Sequence, residues 1–284
     1  MKREVSKEMS KKYRYGFIGA GNMGSAMISG LLESGLAEKK DITFVTAHES
    51  SAKIIEERFG ISRAADASEL SNNSSVIILA VKPANLSDIL SSIREALDAE
   101  SIIVSVAAGK SISDIDSSLQ SMSVAGRLKV ARAMPNTPAA VGEAMSAVCF
   151  NDRFSDEEKE TVLSIFRSFG AAEEIDEGLM DIVTGLSGSS PAFIYMLIEA
   201  MADEAVRRGM KRDKAYTFAA QAVKGSAEMV LKTKKHPGEL KDQVTSPNGT
   251  TIAGVCALEE RGFRSAIMEG IDAAIRRSQE MSRK

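Results

Sequence analysis

Hydrophobic residues in the first half of the chain occur in short runs separated by stretches of helical spacing. An apolar run over 13–18 is followed by a glycine cluster and then by apolar residues at helical spacing up to Gly35. Similar runs occupy 42–45 and 76–81. Runs that are apolar at every position are typical of strands buried on both faces of a parallel sheet. The alternation therefore predicts βαβ units around a mainly parallel sheet.

The pattern changes after about residue 175, where long segments of helical period replace the apolar runs. These segments cover 191–208, 212–232 and 263–281. The first is apolar on every side around 193–198, and such a helix is buried in a large core or against a partner. Because a small helical domain has little interior, we expect a homodimer built on it.

The length of 284 residues agrees with two domains. We predict a flexible tail over 1–12 and an α/β Rossmann-type dinucleotide-binding domain over 13–175. An all-α substrate and dimerisation domain should follow over 176–284.

Charge and hydropathy exclude several kinds of partner. A formal net charge of −3 provides no field that would gather nucleic acid. The longest apolar runs fall short of the roughly 20 residues that span a bilayer, so we expect a cytoplasmic protein without a membrane span. Cys149 and Cys256 show no pairing pattern and are predicted to be buried thiols.

The glycine cluster GAGNMG at 19–24 follows a predicted strand and opens an amphipathic helix, the context in which this pattern binds a dinucleotide. Gly19 permits a tight turn, Gly21 lets the backbone approach a pyrophosphate, and Gly24 allows close packing of helix and strand. The helix start offers free amides to the phosphates. A plain strand–helix turn is the alternative, and the cluster says nothing about the substrate.

The segment TAHESS at 46–51, after the second predicted strand, bears on the choice between NAD and NADP. NAD-specific proteins place an acid at this strand end, on the ribose 2′-hydroxyl. Hydroxyl groups and a histidine stand there instead, which favours NADP. The segment contains no arginine to hold a 2′-phosphate, and Glu49 leaves NAD open.

Other loops at predicted strand ends should also face the cofactor. They are AVKP at 80–83, SVAAG at 105–109, whose small residues would let a nicotinamide lie flat, and the proline-bracketed MPNTP at 134–138. In the helical half, the loop at 185–191 opens the apolar helix. The segment at 245–251 offers hydroxyls and amides at a helix start, where a substrate carboxylate could bind. N-capping explains both of these helical loops equally well from composition alone.

These segments together resemble the pyrroline-5-carboxylate reductase family. The resemblance rests on GAGNMG, AVKP, VAAG, MPNTP, TGLSGSSPAF, FAAQAVKGSAEM, HPGELKDQVTSPNGTTI and EERGFRSA. It runs from about Tyr15 to Met281 and is most specific over 241–252. It implies reduction of 1-pyrroline-5-carboxylate, a cyclic imine, to proline with NADPH or NADH. It also implies a dimer through the helical domain, with rings of dimers in many members.

The resemblance further implies roles for individual residues. The dinucleotide contacts are Ile18, Gly19, Ala20, Gly21, Asn22, Met23, Gly24, Thr46, Ala80, Val81, Lys82 and Pro83, with Ala107, Ala108 and Gly109 as the nicotinamide platform. The substrate contacts are Ser246, Gly249, Thr250 and Thr251. At Asn248 the family usually has glycine. Because asparagine tolerates positive φ, we expect the loop to keep its shape.

Reduction of an imine needs no covalent nucleophile and no metal, because protonation of the nitrogen makes the carbon electrophilic. We expect the Thr251 hydroxyl to bond the imine nitrogen, with the amides of 249–251 holding the carboxylate. One alternative is a β-hydroxyacid dehydrogenase, in which Lys224 would be the general acid and base. The other is a non-catalytic dinucleotide sensor, which would have no need of the substrate segment.

Overall fold

The structure is a computed structural model that describes residues 11–119 and 128–282. Its strands are β1 (Tyr13–Ile18), β2 (Ile42–Val45), β3 (Ser62–Arg63), β4 (Ser74–Leu79), β5 (Ile102–Ser105), β6 (Lys129–Met134), β7 (Ala144–Phe150) and β8 (Gly170–Glu174). Its helices are α1 (Asn22–Glu33), α2 (Glu49–Phe59), α3 (Ala67–Asn73), α4 (Leu86–Ile93), α5 (Ile112–Ser118), α6 (Asp156–Arg167), α7 (Met180–Val183), α8 (Ser190–Arg207), α9 (Arg212–Thr233), α10 (Pro237–Gln243), α11 (Thr250–Glu260) and α12 (Phe263–Ser282). Of the predicted tail at 1–12, only Lys11 and Lys12 lie within the described residues.

The described strands form a sheet with β1 in a central position. The strand order is β3-β2-β1-β4-β5-β6-β7-β8, and β1 is parallel to both β2 and β4. The chain builds outward from β1 to β3 and then crosses to β4 on the other side of β1. Ligands of open α/β sheets bind beyond the carboxyl ends of the strands at such a reversal. The predicted Rossmann-type domain with a mainly parallel sheet is confirmed.

Two apolar layers cover the two faces of this sheet. Along β1, Phe17 packs in the layer that contains α1, α2 and α6, whereas Ile18 packs in the layer that contains α4 and α5. Ile78 and Leu79 of β4 divide between the layers in the same way. Burial of such a side chain stabilises a fold by about 1.5–3 kcal/mol. The predicted burial of these strands on both faces is therefore confirmed.

The sheet reverses direction once among its described pairings, between β6 and β7. These strands are antiparallel, whereas β7 and β8 are parallel. A short 3₁₀ turn at Thr137–Val141 lies between β6 and β7, inside the connection that begins with the proline-bracketed loop. A short connection is compatible with antiparallel neighbours, because parallel neighbours need a long crossover.

The chain divides into two compact units, and the division differs from the predicted boundary at 175/176. The first unit runs to Gly188 and also takes in the described residues from Ile275 onward; the second is Ser189–Ala274. Side-chain contacts explain the difference. Met180 is buried in the sheet domain's core, and Ser278 Oγ donates a hydrogen bond of 2.5 Å to Asp181 Oδ1. Residues just after 175 and near the end of α12 therefore belong to the sheet domain.

The second unit is helical, as predicted, but has a small interior. Its helix α8 packs against α9. The whole of 189–274 is described, and its buried hydrophobic side chains are Ala202, Ala215 and Ala219. Small side chains let two helices approach closely but bury little apolar area.

Large apolar side chains of the second unit are instead exposed. Tyr195 and Met196 of α8 are 59% and 67% exposed, Phe218 of α9 is 66% exposed and Met268 of α12 is 70% exposed. An apolar surface of this extent is typical of a protein interface. Among the described residues, no helix combines the length and the hydropathy that crossing a membrane requires.

The packing of α1 generates a stability prediction. A Cβ atom added at Gly30 would lie 2.6 Å from Phe169 Cβ and 3.1 Å from the Ser168 carbonyl oxygen. Because Phe169 is buried and cannot move away, Gly30→Ala should lower the free energy of unfolding by about 1–3 kcal/mol. Gly178→Ala is the matched control, since a Cβ there meets no described atom within 4 Å. Chemical denaturation checks both variants, and equal stability of the two would contradict the packing described.

Candidate functional site

The glycine cluster forms the turn between β1 and α1 and is tied to the strands on either side. Gly19 N donates to the Val45 carbonyl at the end of β2, at 2.9 Å, and Ala80 N after β4 donates to the Ile18 carbonyl at 2.9 Å. Gly19 has φ of 91°, a conformation that favours glycine. These bonds bring the ends of β1, β2 and β4 together.

The three glycines of the cluster differ in how much space surrounds them. A Cβ at Gly19 would lie 2.5 Å from the Ala80 carbonyl oxygen, and one at Gly24 would lie 2.5 Å from the Gly19 carbonyl oxygen. A Cβ at Gly21 would meet no described atom within 4 Å. Packing within the protein therefore excludes side chains at Gly19 and Gly24. At Gly21 the backbone is exposed and open to a ligand.

The start of α1 fits an anionic ligand. All of α1 is described, and its first turn contains no acidic residue. Its N-cap is Gly21, which has no side chain to occupy the first amides. Free amides and the positive end of a helix dipole stabilise a phosphate at this position. The residues present thus fit the pyrophosphate of a dinucleotide.

The loops after β4 and β5 complete the same side of the sheet. Ala80, Val81, Lys82 and Pro83 follow β4, and a 3₁₀ turn at Pro83–Asn85 leads into α4. After β5, Val106 N donates to the Leu79 carbonyl at 3.2 Å. Ala107 is buried, and Gly109 has φ of 70°. This connection is small and closely held, as a flat nicotinamide platform requires.

The predicted dinucleotide residues therefore gather at one place, the carboxyl edge, defined here as the side of the first unit where β1, β2, β4 and β5 end. The structure brings together Ile18, Gly19, Ala20, Gly21, Asn22, Met23, Gly24, Thr46, Ala80, Val81, Lys82, Pro83, Ala107, Ala108 and Gly109. These residues come from four strands that are neighbours in the sheet.

An arginine that the sequence interpretation missed, Arg63 of β3, lies beside the turn after β2. Arg63 Nη1 of β3 lies 2.7 Å from Glu49 Oε2, at the first residue of α2. Thr46 Oγ1 donates to the His48 carbonyl oxygen at 3.2 Å. The sequence interpretation considered only the segment 46–51, which contains no arginine. Arg63 is distant in sequence and reaches the turn through the pairing of β3 with β2.

The proline-bracketed loop at 134–138 has a structural role. Asn136 Nδ2 donates to the Ser187 carbonyl at 3.0 Å, and Asn136 Oδ1 accepts from Met145 N at 3.0 Å. Ser187 belongs to the π-helical turn Thr184–Gly188. Asn136 therefore joins β7 to this turn within the first unit.

In the second unit, the loop between α10 and α11 contains the predicted substrate residues. Gly249 N donates to the Ser246 carbonyl at 3.0 Å, and a Cβ at Gly249 would lie 2.4 Å from Ser246 Oγ. Asn248 has φ of 58°, so asparagine adopts the left-handed conformation expected of it. Thr250 and Thr251 begin α11 and are exposed. The structure thus places Ser246, Gly249, Thr250 and Thr251 together at one helix start.

The N-terminus of α11 can accept a carboxylate. Its N-cap is Gly249, which lacks a side chain that could bond the first amides. Backbone N–H groups that are not capped by a side chain, together with the helix dipole, stabilise an anion. N-capping by a side chain was the plain alternative for this loop, and Gly249 at the cap has no side chain that could bond the first amides.

The two cysteines differ, and the prediction that both are buried is wrong for Cys256. Cys149 is buried, and its burial raises the pKa of the thiol to about 12. It is therefore protonated at neutral pH and is a poor nucleophile. Cys256 is exposed because it lies on α11, whose apolar residues are uncovered in a single chain. Within 11–119 and 128–282, no three His, Cys, Asp or Glu side chains form a set that could hold a metal.

Lys224 was the candidate general acid and base of the alternative hydroxyacid dehydrogenase. It lies in the second half of α9 and is exposed in the single chain. This position does not single out Lys224 for proton transfer.

Comparison with known proteins covers nearly the whole chain. Residues 177–281 match the family described as pyrroline-5-carboxylate reductase dimerisation. Residues 14–109 match the family described as NADP oxidoreductase, coenzyme F420-dependent. Pyrroline-5-carboxylate reductase of Escherichia coli is 45% identical over 275 residues, which are 97% of this chain and 100% of that protein.

Solved structures of the same kind of protein have the same fold. Plasmodium falciparum pyrroline carboxylate reductase with NADP bound matches with a TM-score of 0.83 and 31% identity, over 96% of this chain and 99% of that one. A pyrroline-5-carboxylate reductase from Coxiella burnetii matches with a TM-score of 0.87 and 28% identity, over 95% and 99%.

The contrast among the glycines generates a prediction about dinucleotide binding. Gly21→Ala should change the free energy of unfolding by about 1 kcal/mol or less, because its Cβ meets open space and only the helix cap is affected. The same methyl group should weaken binding of NADPH about tenfold or more, since the pyrophosphate must approach this backbone closely. Fluorescence titration with NADPH and thermal melting measure the two effects.

Gly19→Ala provides the comparison, because it should lose both stability and binding through its clash with Ala80. Normal NADPH binding by Gly21→Ala would show that the phosphates do not lie at this loop.

Proposed function

The chain belongs to the pyrroline-5-carboxylate reductase family, and we propose that it reduces 1-pyrroline-5-carboxylate to L-proline, with a nicotinamide dinucleotide as the hydride source. The observation that carries this proposal is the glycine-capped start of α11 in a chain that also has a dinucleotide cradle. The start of α11 suits a small carboxylate, and the glycine turn between β1 and α1 suits the cofactor.

The first unit holds the cofactor in this proposal. The amides at the start of α1 bind the pyrophosphate, and Ala107, Ala108 and Gly109 support the nicotinamide ring. When bound, the reduced cofactor supplies the hydride. The buried Ala107 and the glycine turn after it fix the plane of this support, and orientation of this kind is a large part of what a protein contributes to hydride transfer.

The second unit supplies the substrate contacts. The amides of Gly249, Thr250 and Thr251 hold the carboxylate at the positive end of α11. The Thr251 hydroxyl accepts or donates a hydrogen bond at the imine nitrogen and so holds the ring in one orientation. Protonation of the imine nitrogen makes the adjacent carbon electrophilic, so the reaction requires no nucleophilic side chain.

We further propose that NADPH is the preferred cofactor and NADH a slower one. The support is the turn after β2, where Thr46 and Ala47 occupy the position at which NAD-specific proteins place an acid. Among the structural relatives, the Plasmodium falciparum protein has NADP bound.

Self-association through the helical unit follows from the dimerisation family that matches 177–281. We propose a homodimer in which a second copy covers the exposed apolar side chains of α8 and α12, with rings of dimers as the larger assembly. Burying residues such as Met196 and Met268 against a second copy removes apolar area that the single chain leaves in water. The predicted cytoplasmic location stays a prediction.

A direct assay tests the reaction. Purified protein is incubated with 1-pyrroline-5-carboxylate and NADPH or NADH, and in parallel with β-hydroxyacids and the oxidised cofactors. Formation of proline in step with loss of reduced cofactor is expected. Turnover of a hydroxyacid alone would favour the hydroxyacid dehydrogenase alternative, and binding of dinucleotide without any turnover would favour the sensor.

The assignment of Thr251 gives a second prediction. Thr251→Ala should lower kcat/KM for the imine about ten- to hundredfold, because a hydrogen bond to the reacting group is lost, while NADPH binding persists. Thr251→Ser should restore most of the activity, since it keeps the hydroxyl. Thr217→Ala is the control. Thr217 is likewise an exposed helical threonine of the second unit, and its hydroxyl donates to the Asp213 carbonyl. Full activity of Thr251→Ala would refute the assignment.

The proposed dimer gives a prediction about oligomeric state. Met196→Glu would bring a charge into an apolar contact and should convert dimers to monomers at micromolar concentration. Val141→Glu, which changes an exposed apolar residue of the first unit, should leave the dimer intact. Sedimentation velocity distinguishes the two, and a dimer that survives Met196→Glu would place the interface elsewhere.

A further inference from the structure

We propose that Arg63 is the residue that selects NADPH over NADH, by binding the ribose 2′-phosphate in place of its present partner Glu49. The inference rests on the proposed use of a nicotinamide dinucleotide and goes beyond it, because it names the group that reads the phosphate. Arg63 lies outside the family motifs and outside the segment 46–51 at which cofactor choice is usually sought.

The position of Arg63 follows from the register of β3. Phe44 of β2 is the partner of Arg63, and Ala64 N donates to the Phe44 carbonyl at 2.9 Å. Arg63 is thus aligned with a residue only two positions before Thr46. Since β3 is the outermost strand next to β2, the Arg63 side chain has access to the turn where β2 ends.

The Arg63–Glu49 ion pair shows where the guanidinium lies. Arg63 Nη1 is 2.7 Å from Glu49 Oε2, and Glu49 is the first residue of α2, three positions after Thr46. In dinucleotide-binding folds the adenosine ribose lies beyond the end of the second strand, and an arginine nearby accommodates the 2′-phosphate. The guanidinium is therefore held at the turn that faces the 2′ position.

The exposure of the Glu49 side chain indicates that a phosphate can replace it as the partner of Arg63. The Glu49 side chain is 63% exposed, whereas that of Arg63 is 30% exposed. An ion pair this exposed contributes little stability, so turning Glu49 into solvent costs little. A guanidinium binds a phosphate through two parallel hydrogen bonds, and the phosphate carries more negative charge than the carboxylate it replaces.

The same pair explains why NADH is not excluded. Without a 2′-phosphate, Arg63 keeps Glu49 as its partner, and the Glu49 carboxylate can accept a hydrogen bond from the ribose 2′-hydroxyl. Glu49 thus opposes selection of NADPH by competing for Arg63 and by repelling the phosphate. Arg63 favours NADPH, because its positive charge attracts the 2′-phosphate.

Equilibrium binding tests this assignment separately from the reaction. Dissociation constants for NADPH, NADH, 2′,5′-ADP and 5′-AMP are measured without the imine. Binding of NADPH and NADH is followed by the fluorescence of the reduced nicotinamide, and 2′,5′-ADP and 5′-AMP, which lack this fluorophore, are measured by isothermal titration calorimetry. Wild-type protein should bind 2′,5′-ADP more tightly than 5′-AMP. Equal affinity for these two fragments would overturn the proposal, and no binding of any nucleotide would overturn the proposed function as well.

Three variants complete the test. Arg63→Gln should reduce the preference for NADPH over NADH about tenfold or more, the effect expected when hydrogen bonds to a charged group are lost. Arg63→Lys should keep part of the preference, and Glu49→Gln should increase it. Arg167→Gln is the matched control, because Arg167 pairs with Glu160 on α6 at 2.5 Å and should leave the preference unchanged.

Two outcomes would overturn the assignment of Arg63. The first is an unchanged preference for NADPH over NADH in Arg63→Gln, which would show that another group binds the 2′-phosphate. The second is an equal loss of affinity for NADPH and NADH together with a lower melting temperature, which would show that Arg63 only supports the fold.

Discussion

The close approach of Gly19 to the backbone after β4 is the constraint on which the cofactor region depends. A side chain at this position would lie 2.5 Å from the Ala80 carbonyl oxygen, and only a residue that adopts φ of 91° without strain can make the turn. Because the turn is this tight, α1 starts directly beyond β1, and Gly19 N reaches the Val45 carbonyl of β2. The predicted phosphate-binding amides at the start of α1 and the turn after β2 are both positioned by these contacts between neighbouring strands.

The two units are stabilised in different ways. The first encloses two apolar layers, with residues such as Phe17 and Ile77 fully buried within a single chain. The second has alanines at its interior and large apolar side chains on its surface. A unit with that distribution gains most of its apolar burial from association. In the proposed homodimer, the second copy would supply the apolar burial that the helical unit lacks, whereas the sheet domain forms its core within a single chain.

Part of this architecture could be predicted from the sequence because the relevant signals are local. Continuous apolar runs identified β1 and β4, and the glycine spacing at 19–24 identified the turn between β1 and α1. Asn248 could be recognised as a tolerated replacement, since positive φ depends mainly on residue type.

Other parts depend on pairing between distant segments and were missed. Arg63 lies in a strand of only two residues, too short to give a periodic pattern, and its proximity to the turn after β2 is visible only once β3 is placed beside β2. The boundary at Gly188 depends on the contact of Asp181 with Ser278, 97 residues away, while helical periodicity simply continues through α12. The exposure of Cys256 likewise depends on which face of α11 lacks a covering partner in the single chain.

Transfer of deuterium from the cofactor to proline is the most direct test of the proposed imine reduction. The protein is incubated with 1-pyrroline-5-carboxylate and NADPH deuterated at the transferable position of the nicotinamide ring, and the proline formed is examined by NMR and mass spectrometry. Deuterium is expected on the ring carbon that was double-bonded to nitrogen, in amounts equal to the cofactor oxidised. Oxidation of the cofactor without labelled proline, or label at another carbon, would contradict the proposed reduction.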